Sequence, residues 1–338
     1  MDTPRLKLAD IAAQANTSVA TVSKVLNGRP GVGADKRDEV LAILRQHDYR
    51  RRGSSKRNPA GLVDIVLRGL DTLWATEVLK GAEEVAARAG IGLVVSATHG
   101  RTLGNRHWLT SLAQRHSDGL VLVLSALNTG AIVELDKLRI PYVIVDPIGI
   151  QDQSVPVIGA TNFAGGRAAT EHLLELGHRR IGIITGERDL ACSQERLDGY
   201  RAALVRAGVT PHDELISYGD FLISGGHAGA ERFLDLPEPP TAIFAGSDQQ
   251  AYGVYEVAKA RGLRVPEDLS VVGFDDVQLC QWVSPRLTTV RQPVQEMARE
   301  ATRTLLGMAY QGLEPSRRKI ELATELVVRD STAAPRRA

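Results

Sequence analysis

The sequence predicts a small all-α segment at the N-terminus, followed by an α/β body of two Rossmann-like subdomains. Three observations lead to this fold class. Apolar residues recur at helical spacing within residues 6–49. From Leu62 onward, short runs of Val, Ile and Leu alternate with helical stretches, which is typical of parallel strands covered on both faces. The alternation continues for about 260 residues, more than one ordinary sheet holds, so two subdomains are expected.

The predicted elements of the body are bounded by turn residues and by changes in periodicity. Strands are predicted over Leu62–Leu67, Gly92–Ser96, Gly119–Ser125, Pro141–Asp146, Arg180–Thr185, Thr241–Ser247 and Ser270–Asp275. Helices are predicted over Ala75–Ala89, Gly165–Leu176, Arg196–Ala207, Gln249–Arg261 and Val294–Gln311. Residues 50–60 are basic, contain Gly, Ser and Pro, and are almost free of apolar side chains, so they are predicted to form a linker.

Charge is divided unevenly along the 338 residues, although the net charge is only +1. Residues 1–60 hold 12 basic and six acidic side chains, a net charge of +6, whereas the rest of the chain has a net charge of −5. A basic segment on an acidic body indicates a nucleic-acid partner for the segment. Two cysteines, Cys192 and Cys280, exclude a disulfide scaffold and a four-cysteine zinc site. Because the sequence has no apolar run of about 18 residues and no signal-peptide core, we expect a cytoplasmic protein.

The N-terminal segment has the local features of two helices that cross at a tight turn. The helices are predicted over Leu8–Ala15 and Ser18–Leu26. Ala12 is small enough for a close helix crossing, and Asn16 is among the residues that adopt a positive φ at low cost. Ser18 is suited to cap the second helix. These features fit a helix-turn-helix and also a generic three-helix bundle.

The string LADIAAQANTSVATVSKVLNG, followed by RPGVGADKRDEVLAILRQHDYR, resembles the DNA-binding headpiece of the lactose/galactose-repressor (LacI/GalR) family. Asn16 stands where Gly is usual in that family and Thr17 where an apolar residue is usual, and neither change should abolish the turn. The resemblance continues in TNFAGG, EHLLELGHRRIG, RLDGY, SDQ, SVVGFDD and PRLTTVRQP, so it covers nearly the whole chain. It implies a helix-turn-helix headpiece, a periplasmic-binding-protein-like body and a transcriptional repressor that responds to a small sugar.

The resemblance also implies that the second helix of the headpiece lies in the major groove. Lys24 can donate to guanine, whereas Val19 and Ala20 can offer only apolar contact to base edges. The polar side chains of this segment are suited to phosphate contacts, and simple surface polarity is the alternative for Thr21 and Ser23. The predicted DNA-binding residues of the headpiece are Ser18, Val19, Ala20, Thr21, Ser23, Lys24 and Asn27.

The linker departs from the family. In relatives, this segment forms a hinge helix with a leucine that wedges into the minor groove, but here no leucine lies between Leu44 and Leu62. We expect the linker to bind instead as a basic arm along phosphates or a narrow minor groove, and a solvated tether is the alternative. The basic residues of this arm are Arg50, Arg51, Arg52, Lys56 and Arg57.

Polar and aromatic residues of the body gather where the predicted strands end. Ligands of open α/β sheets bind beyond the carboxyl ends of the strands. The predicted effector-binding residues are Asp71, Trp74, Ser125, Asp146, Arg196, Phe221, Ser247, Asp248 and Asp275. The resemblance implies that three of them bond sugar hydroxyls, namely Arg196, Ser247 and Asp275. It further implies that Phe221 stacks on the sugar and that Trp74 caps it. Ser247 stands where relatives often carry Asn, which shortens its reach.

Structural roles are the alternatives for some of these residues. Asp248 and Asp275 are suited to cap a following helix, and Trp74 is suited to the core. The glycine pair at 165–166 lacks the context of a phosphate-binding loop and is expected to allow close backbone packing at a helix start.

The motifs of common enzyme classes are absent from the sequence. It contains no Gly-Lys pair for a Walker A loop, no HExxH and no GxSxG, so no enzymatic activity is expected. We predict no cofactor and no metal, because His172 and His178 have no partner at metal-ligand spacing and fit structural roles. A sugar-binding transport protein shares the body fold and is the alternative function, but the basic headpiece and the missing export signal argue against it.

The resemblance implies a homodimer on a palindromic DNA operator, with a small sugar effector between the subdomains. Three chain crossings between the subdomains are expected near Asn162, Arg291 and Glu321. The predicted parts are the headpiece (1–49), the linker (50–60), the N-terminal subdomain (61–161 and 292–320), the C-terminal subdomain (162–291 and 321–331) and a disordered tail (332–338).

The basic arm leads to a first prediction. Replacing the five basic linker residues with alanine should weaken operator binding and flatten its dependence on salt, because fewer counterions are released from the phosphates. Operator affinity measured over a salt series checks this. An unchanged salt slope would contradict the arm and leave the linker as a tether.

Overall fold

The computed structural model describes residues 8–26, 32–33, 36–37, 39–40, 43, 60–99, 106–123, 129–147, 155–313 and 319–336. The chain divides into two compact units, Met1–Asn58 and Pro59–Ala338. They are called the headpiece and the body here, and each is described by itself.

The headpiece contains the predicted helix-turn-helix. Helix α1 spans Leu8–Gln14 and helix α2 spans Val19–Leu26. Asn16, in the turn between them, has a φ of 42°, as predicted. Ser18 caps α2, because its Oγ accepts a hydrogen bond of 3.1 Å from the backbone N–H of Thr21. The side chains that hold the two helices together are Ile11, Ala12, Ala15, Val22, Val25 and Val40, all buried.

The body begins with an alternation of strands and helices. Its strands in the described residues are β1 (Leu62–Leu67), β2 (Gly92–Ala97), β3 (Gly119–Val123), β4 (Tyr142–Val145), β5 (Val157–Ala160), β6 (Ile181–Thr185), β7 (Ile216–Tyr218), β8 (Ala242–Ala245), β9 (Ser270–Asp275), β10 (Thr288–Arg291), β11 (Lys319–Leu322) and β12 (Glu325–Val327). Its helices are α3 (Leu73–Arg88), α4 (Arg106–Gln114), α5 (Thr129–Leu138), α6 (Asn162–Glu175), α7 (Ala191–Arg206), α8 (Ile223–Leu234), α9 (Asp248–Ala260), α10 (Leu279–Trp282) and α11 (Val294–Tyr310). A 3₁₀ turn spans Asp213–Leu215.

The strands form two separate sheets, which confirms the predicted pair of α/β subdomains. The first sheet has the order β11-β5-β4-β3-β1-β2, and all its described pairs are parallel. The second has the order β12-β10-β9-β8-β6-β7, with one antiparallel pair, β10–β12. Strands β3, β4, β6, β8 and β9 are buried throughout, as expected for runs of Val, Ile and Leu covered on both faces. Helix α11 follows a strand of the second sheet but packs into the core of the first, through Met297, Ala301 and Leu305.

The chain passes between the two sheets three times. The crossings lie at Thr161, at residues 292–293 and at residues 323–324. The last lies slightly after the predicted position near Glu321, because Glu321 and Leu322 still pair with β5. Two of the crossings are bonded to each other, since the backbone N–H of Thr324 donates to Thr161 Oγ1 at 2.9 Å.

The expectation of a disordered tail is wrong for residues 332–336, which lie against the second sheet and its helices. The Nε2–H of His178 donates to the carbonyl of Ala333 at 2.9 Å, and its Nδ1 lies 2.8 Å from Thr241 Oγ1. His172 Nε2 lies 2.9 Å from Thr332 Oγ1. Burial lowers the pKa of His178 and of His172, so both rings are neutral at pH 7. The two histidines therefore hold the tail.

His178 should make the stability of the body depend on pH. Its pKa is lowered from 6.5, so the unfolded chain takes up the proton first, and the contribution of the neutral ring is lost as the pH falls below about 6.5. His178→Ala should cost about 1–3 kcal/mol at neutral pH, because the Ala333 carbonyl and the buried Ser270 hydroxyl lose a partner. It should also reduce the stability difference between pH 7 and pH 5. Urea unfolding at both pH values checks this, with exposed His212→Ala as control, and an unchanged difference in His178→Ala would contradict it.

Candidate functional site

The exposed face of α2 is the first candidate site. Val22 and Val25 point into the headpiece core, whereas Val19, Ala20 and Lys24 lie on the outer face, with Val19 46% exposed. Thr21 is partly exposed, and its hydroxyl lies 2.9 Å from Ser18 Oγ. The predicted contacts of the Ser23 side chain and of Asn27, Arg50, Arg51, Arg52, Lys56 and Arg57 lie outside the described residues. A solvent-facing surface with one cation and two small apolar side chains is suited to contact base edges in a groove of DNA.

The second candidate site is a pocket between the two sheets of the body, which we call the inner pocket. The space within it, including its opening to solvent, is about 390 Å³. Parallel strands of both sheets end beside it, as expected for open α/β folds. Its lining residues are Thr72, Trp74, Asp146, Cys192, Arg196, Phe221, Ser247, Gln249 and Asp275.

Arg196 is the only cation of the inner pocket among the described residues that line it. Its side chain is buried, and it is held by two hydrogen bonds, from Nε to Asn162 Oδ1 at 2.9 Å and from Nη1 to the carbonyl of Gly246 at 2.5 Å. The guanidinium carbon lies 3.8 Å from the centre of the Phe274 ring. These contacts fix the plane of the guanidinium and leave it further N–H donors for a ligand.

Two buried carboxyl groups, those of Asp146 and Asp275, share the pocket with Arg196. Burial raises the pKa of Asp146 to about 6 and that of Asp275 well above its ordinary value, while the nearby Arg196 acts in the opposite direction on both. Gln292 Nε2 donates to Asp275 Oδ1 at 2.6 Å, which orients that carboxyl group. The three side chains together offer acceptors and donors for several hydroxyl groups.

The backbone is strained where these acceptors lie. Asp146, Phe221 and Asp275 all have a positive φ, of 45°, 64° and 114°. For Phe221 and Asp275 such a conformation costs of order 1–3 kcal/mol and persists only where surrounding contacts impose it, whereas Asp adopts the φ of Asp146 more cheaply. Positive φ also occurs outside the two pockets, at His116, Arg139 and Asp276, so it does not by itself mark a site.

Ser247 lines the inner pocket, but its hydroxyl also has a structural task. Its Oγ caps helix α9, accepting from the N–H of Gln250 at 3.0 Å, and donates to the carbonyl of Phe221 at 2.7 Å. The hydroxyl proton is thus committed to the Phe221 loop, which leaves Ser247 mainly an acceptor for a ligand.

Asp248 does not line the pocket, so its prediction as an effector ligand is wrong. Its Oδ1 accepts from Thr289 Oγ1 at 2.5 Å and its Oδ2 from the N–H of Val277 at 2.9 Å. The side chain is completely buried, and burial raises its pKa to about 7. Asp248 therefore connects helix α9 to β10 and to the loop after β9. This role is structural, but it is not the helix capping that was the alternative. Ser125 lies outside the described residues.

A second pocket adjoins the first and is called the outer pocket. Its space, counted in the same way, is about 960 Å³. Asp71 lies here rather than in the inner pocket, and Thr72, Trp74 and Phe221 line both. Trp74 is also part of the core of the first subdomain, so the structural alternative holds for it, and its role as a cap on the ligand stays a prediction. The lining residues are Leu67, Arg68, Gly69, Asp71, Thr72, Trp74, Ala75, His99, Val123, Glu187, Leu190, Asp220, Phe221 and Leu222.

Polar contacts join the two subdomains around these pockets. Arg68 forms an ion pair with Glu187. The N–H of Leu73 donates to Gln249 Oε1 at 2.8 Å, and Lys319 Nζ lies 3.7 Å from Glu195. Arg68, Glu187 and Gln249 were not among the predicted site residues, because a contact between segments that are far apart in the chain leaves no local pattern.

Two other properties bear on function. No helix in the described part of the chain is long and apolar enough to cross a membrane. Within the same residues, no group of three His, Cys, Asp or Glu side chains is placed to hold a metal ion.

Comparison with known proteins gives matches over nearly the whole chain. Residues 7–52 match the family model of bacterial regulatory proteins of the lacI family, and residues 170–332 match that of the periplasmic binding protein-like domain. The HTH-type transcriptional repressor CytR of Escherichia coli (strain K12) is 32% identical over 330 residues, covering 97% of this chain and 96% of CytR. The HTH-type transcriptional regulator CelR of Thermobifida fusca is 33% identical over 344 residues, covering 97% and 98%.

A solved complex of the transcriptional regulator CelR with cellobiose has the same fold, with a TM-score of 0.74 at 32% identity and coverage of 97% of this chain and 100% of that one. The similarity extends from the helix-turn-helix through both α/β subdomains. The chain therefore belongs to the lacI family of bacterial regulatory proteins and is a helix-turn-helix DNA-binding transcriptional regulator with a periplasmic-binding-protein-like body.

Proposed function

We propose that this regulator is a repressor whose affinity for a palindromic DNA operator is controlled by a small sugar bound in the inner pocket. The observation that carries the proposal is the buried guanidinium of Arg196 beside the carboxyl groups of Asp146 and Asp275. Sugars present many hydroxyl groups and an apolar ring face, and Trp74 and Phe221 supply aromatic faces next to these polar groups. The relative CelR is solved with cellobiose, which agrees with a sugar ligand.

The proposed parts of the chain are the headpiece at 1–49, the basic linker at 50–60 and two effector subdomains that meet at the pockets. The sugar would contact both subdomains and favour one of their relative arrangements, so that binding of sugar and of operator are coupled by roughly 1–3 kcal/mol. Such a protein binds and releases its sugar unchanged in the cytoplasm and has no turnover.

A homodimer is part of the proposal, because a palindromic operator presents two half-sites related by a two-fold axis. The body has exposed apolar side chains that a partner subunit could cover. Trp282 in α10 is 68% exposed and Val95 on the edge strand β2 is 44% exposed. Large exposed apolar side chains are typical of the centre of an interface between subunits.

The role of Asp275 leads to a prediction. Asp275→Asn should weaken sugar binding by about 10-fold or more, because the amide places an N–H donor where the carboxyl group offers an oxygen to the ligand. Operator affinity without sugar should stay unchanged, since residue 275 lies in the body. Calorimetric titration with a panel of sugars, and fluorescence anisotropy with operator DNA, measure the two effects. Asp198→Asn, on the exposed side of α7, is the matched control, and equal sugar affinity in both variants would contradict the role of Asp275.

The headpiece leads to a second prediction. Lys24→Ala should weaken operator binding by about 1–3 kcal/mol and relax the preference at one base pair of each half-site, because the donor to a guanine is lost. Lys24 is exposed, so the headpiece should fold as before. Anisotropy titrations with the operator and with single-base variants check this, and exposed Arg206→Ala in the body is the control. A uniform loss of affinity on all sequences would instead mean that Lys24 contacts a phosphate.

A further inference from the structure

The first residues of the body are held by one carboxylate, that of Asp118 just before β3. Its two oxygens accept hydrogen bonds from three successive backbone N–H groups, those of Ala60, Gly61 and Leu62, at 3.0, 2.8 and 3.3 Å. Gly61 has a φ of 69°, a conformation that glycine adopts without strain. Asp118 therefore fixes the direction in which residues 60–62 leave the first sheet towards the linker.

The same carboxylate is bonded to the last residue of helix α11. The hydroxyl of Tyr310 donates to Asp118 Oδ2 at 2.6 Å. Beside this bond, α11 packs closely on the start of β3, because a Cβ at Gly119 would lie 2.7 Å from Leu305 Cδ1. The end of α11 and the start of the body thus meet at Asp118 and Tyr310, a pair that we call the linker anchor.

The other end of α11 begins at the inner pocket. Gln292, two residues before the helix, is buried. Its Nε2 donates to Asp275 Oδ1 at 2.6 Å, and its backbone N–H donates to the carbonyl of Asp275 at 3.3 Å. Asp275 lines the inner pocket and ends β9 of the second sheet, whereas α11 packs on the first. A pocket residue of one subdomain therefore holds the segment that begins a core helix of the other.

The packing of α11 suits it to move as one body. With 17 residues it is about 25 Å long. Met297, Ala301 and Leu305 are completely buried in the core of the first subdomain. Near its start, α11 lies so close to α3 that a Cβ at Gly81 would be 2.2 Å from the carbonyl oxygen of Gln295. Because a close-packed core does not deform continuously, a shift at one end of the helix reaches the other.

We propose that Asp118 and Tyr310 are positioning residues for operator binding, and that α11 couples this linker anchor to Asp275 in the inner pocket. The inference rests on the proposed sugar-responsive function and specifies the route by which the sugar acts on the linker. A sugar that changes the position of Asp275 relative to the first sheet displaces Gln292 and, with it, α11. The linker anchor then changes the direction in which the linker leaves the body.

Tyr310→Phe and Asp118→Asn test the linker anchor on the full-length protein. The first removes one hydroxyl, and the second places amide N–H donors beside the N–H groups of residues 60–62. Both should weaken operator binding without sugar by about 3–10-fold, as read by anisotropy, because a freer linker loses more conformational entropy on DNA. Both should also speed hydrogen exchange at residues 60–62 by about 10-fold or more, as read by mass spectrometry.

Tyr255→Phe and Asp136→Asn are the matched controls. Tyr255 donates to the carbonyl of Pro285 at 3.1 Å in the second subdomain, and Asp136 is exposed on α5. Both variants should keep the operator affinity of the unmodified protein and its hydrogen exchange at residues 60–62. Circular dichroism of all four variants checks that they fold.

The coupling through α11 is measured with sugar. Glucose, galactose, ribose, cellobiose, maltose and lactose are titrated, and the one that changes operator affinity most is used at saturation. The ratio of operator affinities with and without this sugar should come closer to one by about threefold or more in Tyr310→Phe. Sugar affinity in the absence of DNA, measured by calorimetry, should stay within about threefold, because Tyr310 does not line either pocket.

A double variant tests α11 as the connection. Gln292→Ala should also bring the ratio closer to one, because it breaks the side-chain bond to Asp275. Substitutions at opposite ends of a helix about 25 Å long have additive effects unless a shared element couples them. Gln292→Ala combined with Tyr310→Phe should therefore change the ratio no more than the stronger of the two single variants does.

The outcomes separate this inference from the proposed function. Unchanged operator affinity in both linker-anchor variants, with a sugar response in the unmodified protein, overturns the inference and keeps the sugar-responsive repressor. Additive effects of Gln292→Ala and Tyr310→Phe overturn α11 as the connection. If no sugar of the panel changes operator affinity in the unmodified protein, the proposed function and the coupling through α11 are both overturned, and the sugar-free measurements alone decide the linker anchor.

Discussion

The interactions of the Arg196 guanidinium are those on which the inner pocket depends. A buried cation is expensive unless it is paired and hydrogen-bonded. Here it is held by the Asn162 side chain at the start of α6, by the carbonyl of Gly246 at the end of β8, and by the face of the Phe274 ring in β9. The Arg196 side chain thus contacts a helix and the ends of two strands. The carboxyl groups of the pocket lie near the same positive charge.

Close helix packing puts Arg196 in this place. A Cβ at Gly166 would lie 2.3 Å from the carbonyl oxygen of Arg196, and a Cβ at Gly199 would lie 2.2 Å from that of Phe163. Only glycine allows α6 and α7 to approach this closely. A Cβ at Gly165 would likewise lie 2.8 Å from the Phe274 ring. The prediction that the glycine pair at 165–166 serves close packing is confirmed, and the same packing places Arg196 at the pocket.

A structural feature of this protein is predictable from the sequence when it depends on residues that are close together in the chain. Strands made only of apolar residues are apparent in the sequence even when they are as short as β4 and β8. In contrast, β5, β7, β10, β11 and β12 are three or four residues long and contain Gly, polar or charged residues, so they give no clear apolar run. Position at a strand end correctly placed Asp146 and Asp275 in the pocket, yet it failed for Asp248, because position does not reveal which way a side chain points. The outer pocket escaped prediction, since Arg68, His99 and Glu187 come from loops far apart in the chain.

A short chain of hydrogen bonds leads from Phe221 in the pocket to a contact between the subdomains. Phe221 has a positive φ and its carbonyl is held by Ser247, so a ligand pressing on its ring acts on the start of α9. Gln249, two residues after Ser247, accepts a hydrogen bond from the N–H of Leu73 in the other subdomain. A ligand shifts the arrangement of the subdomains only if it interacts differently with the two arrangements. A sugar between Phe221 and Trp74 would contact one side chain from each subdomain, beside the hydrogen bond between Leu73 and Gln249 that joins them.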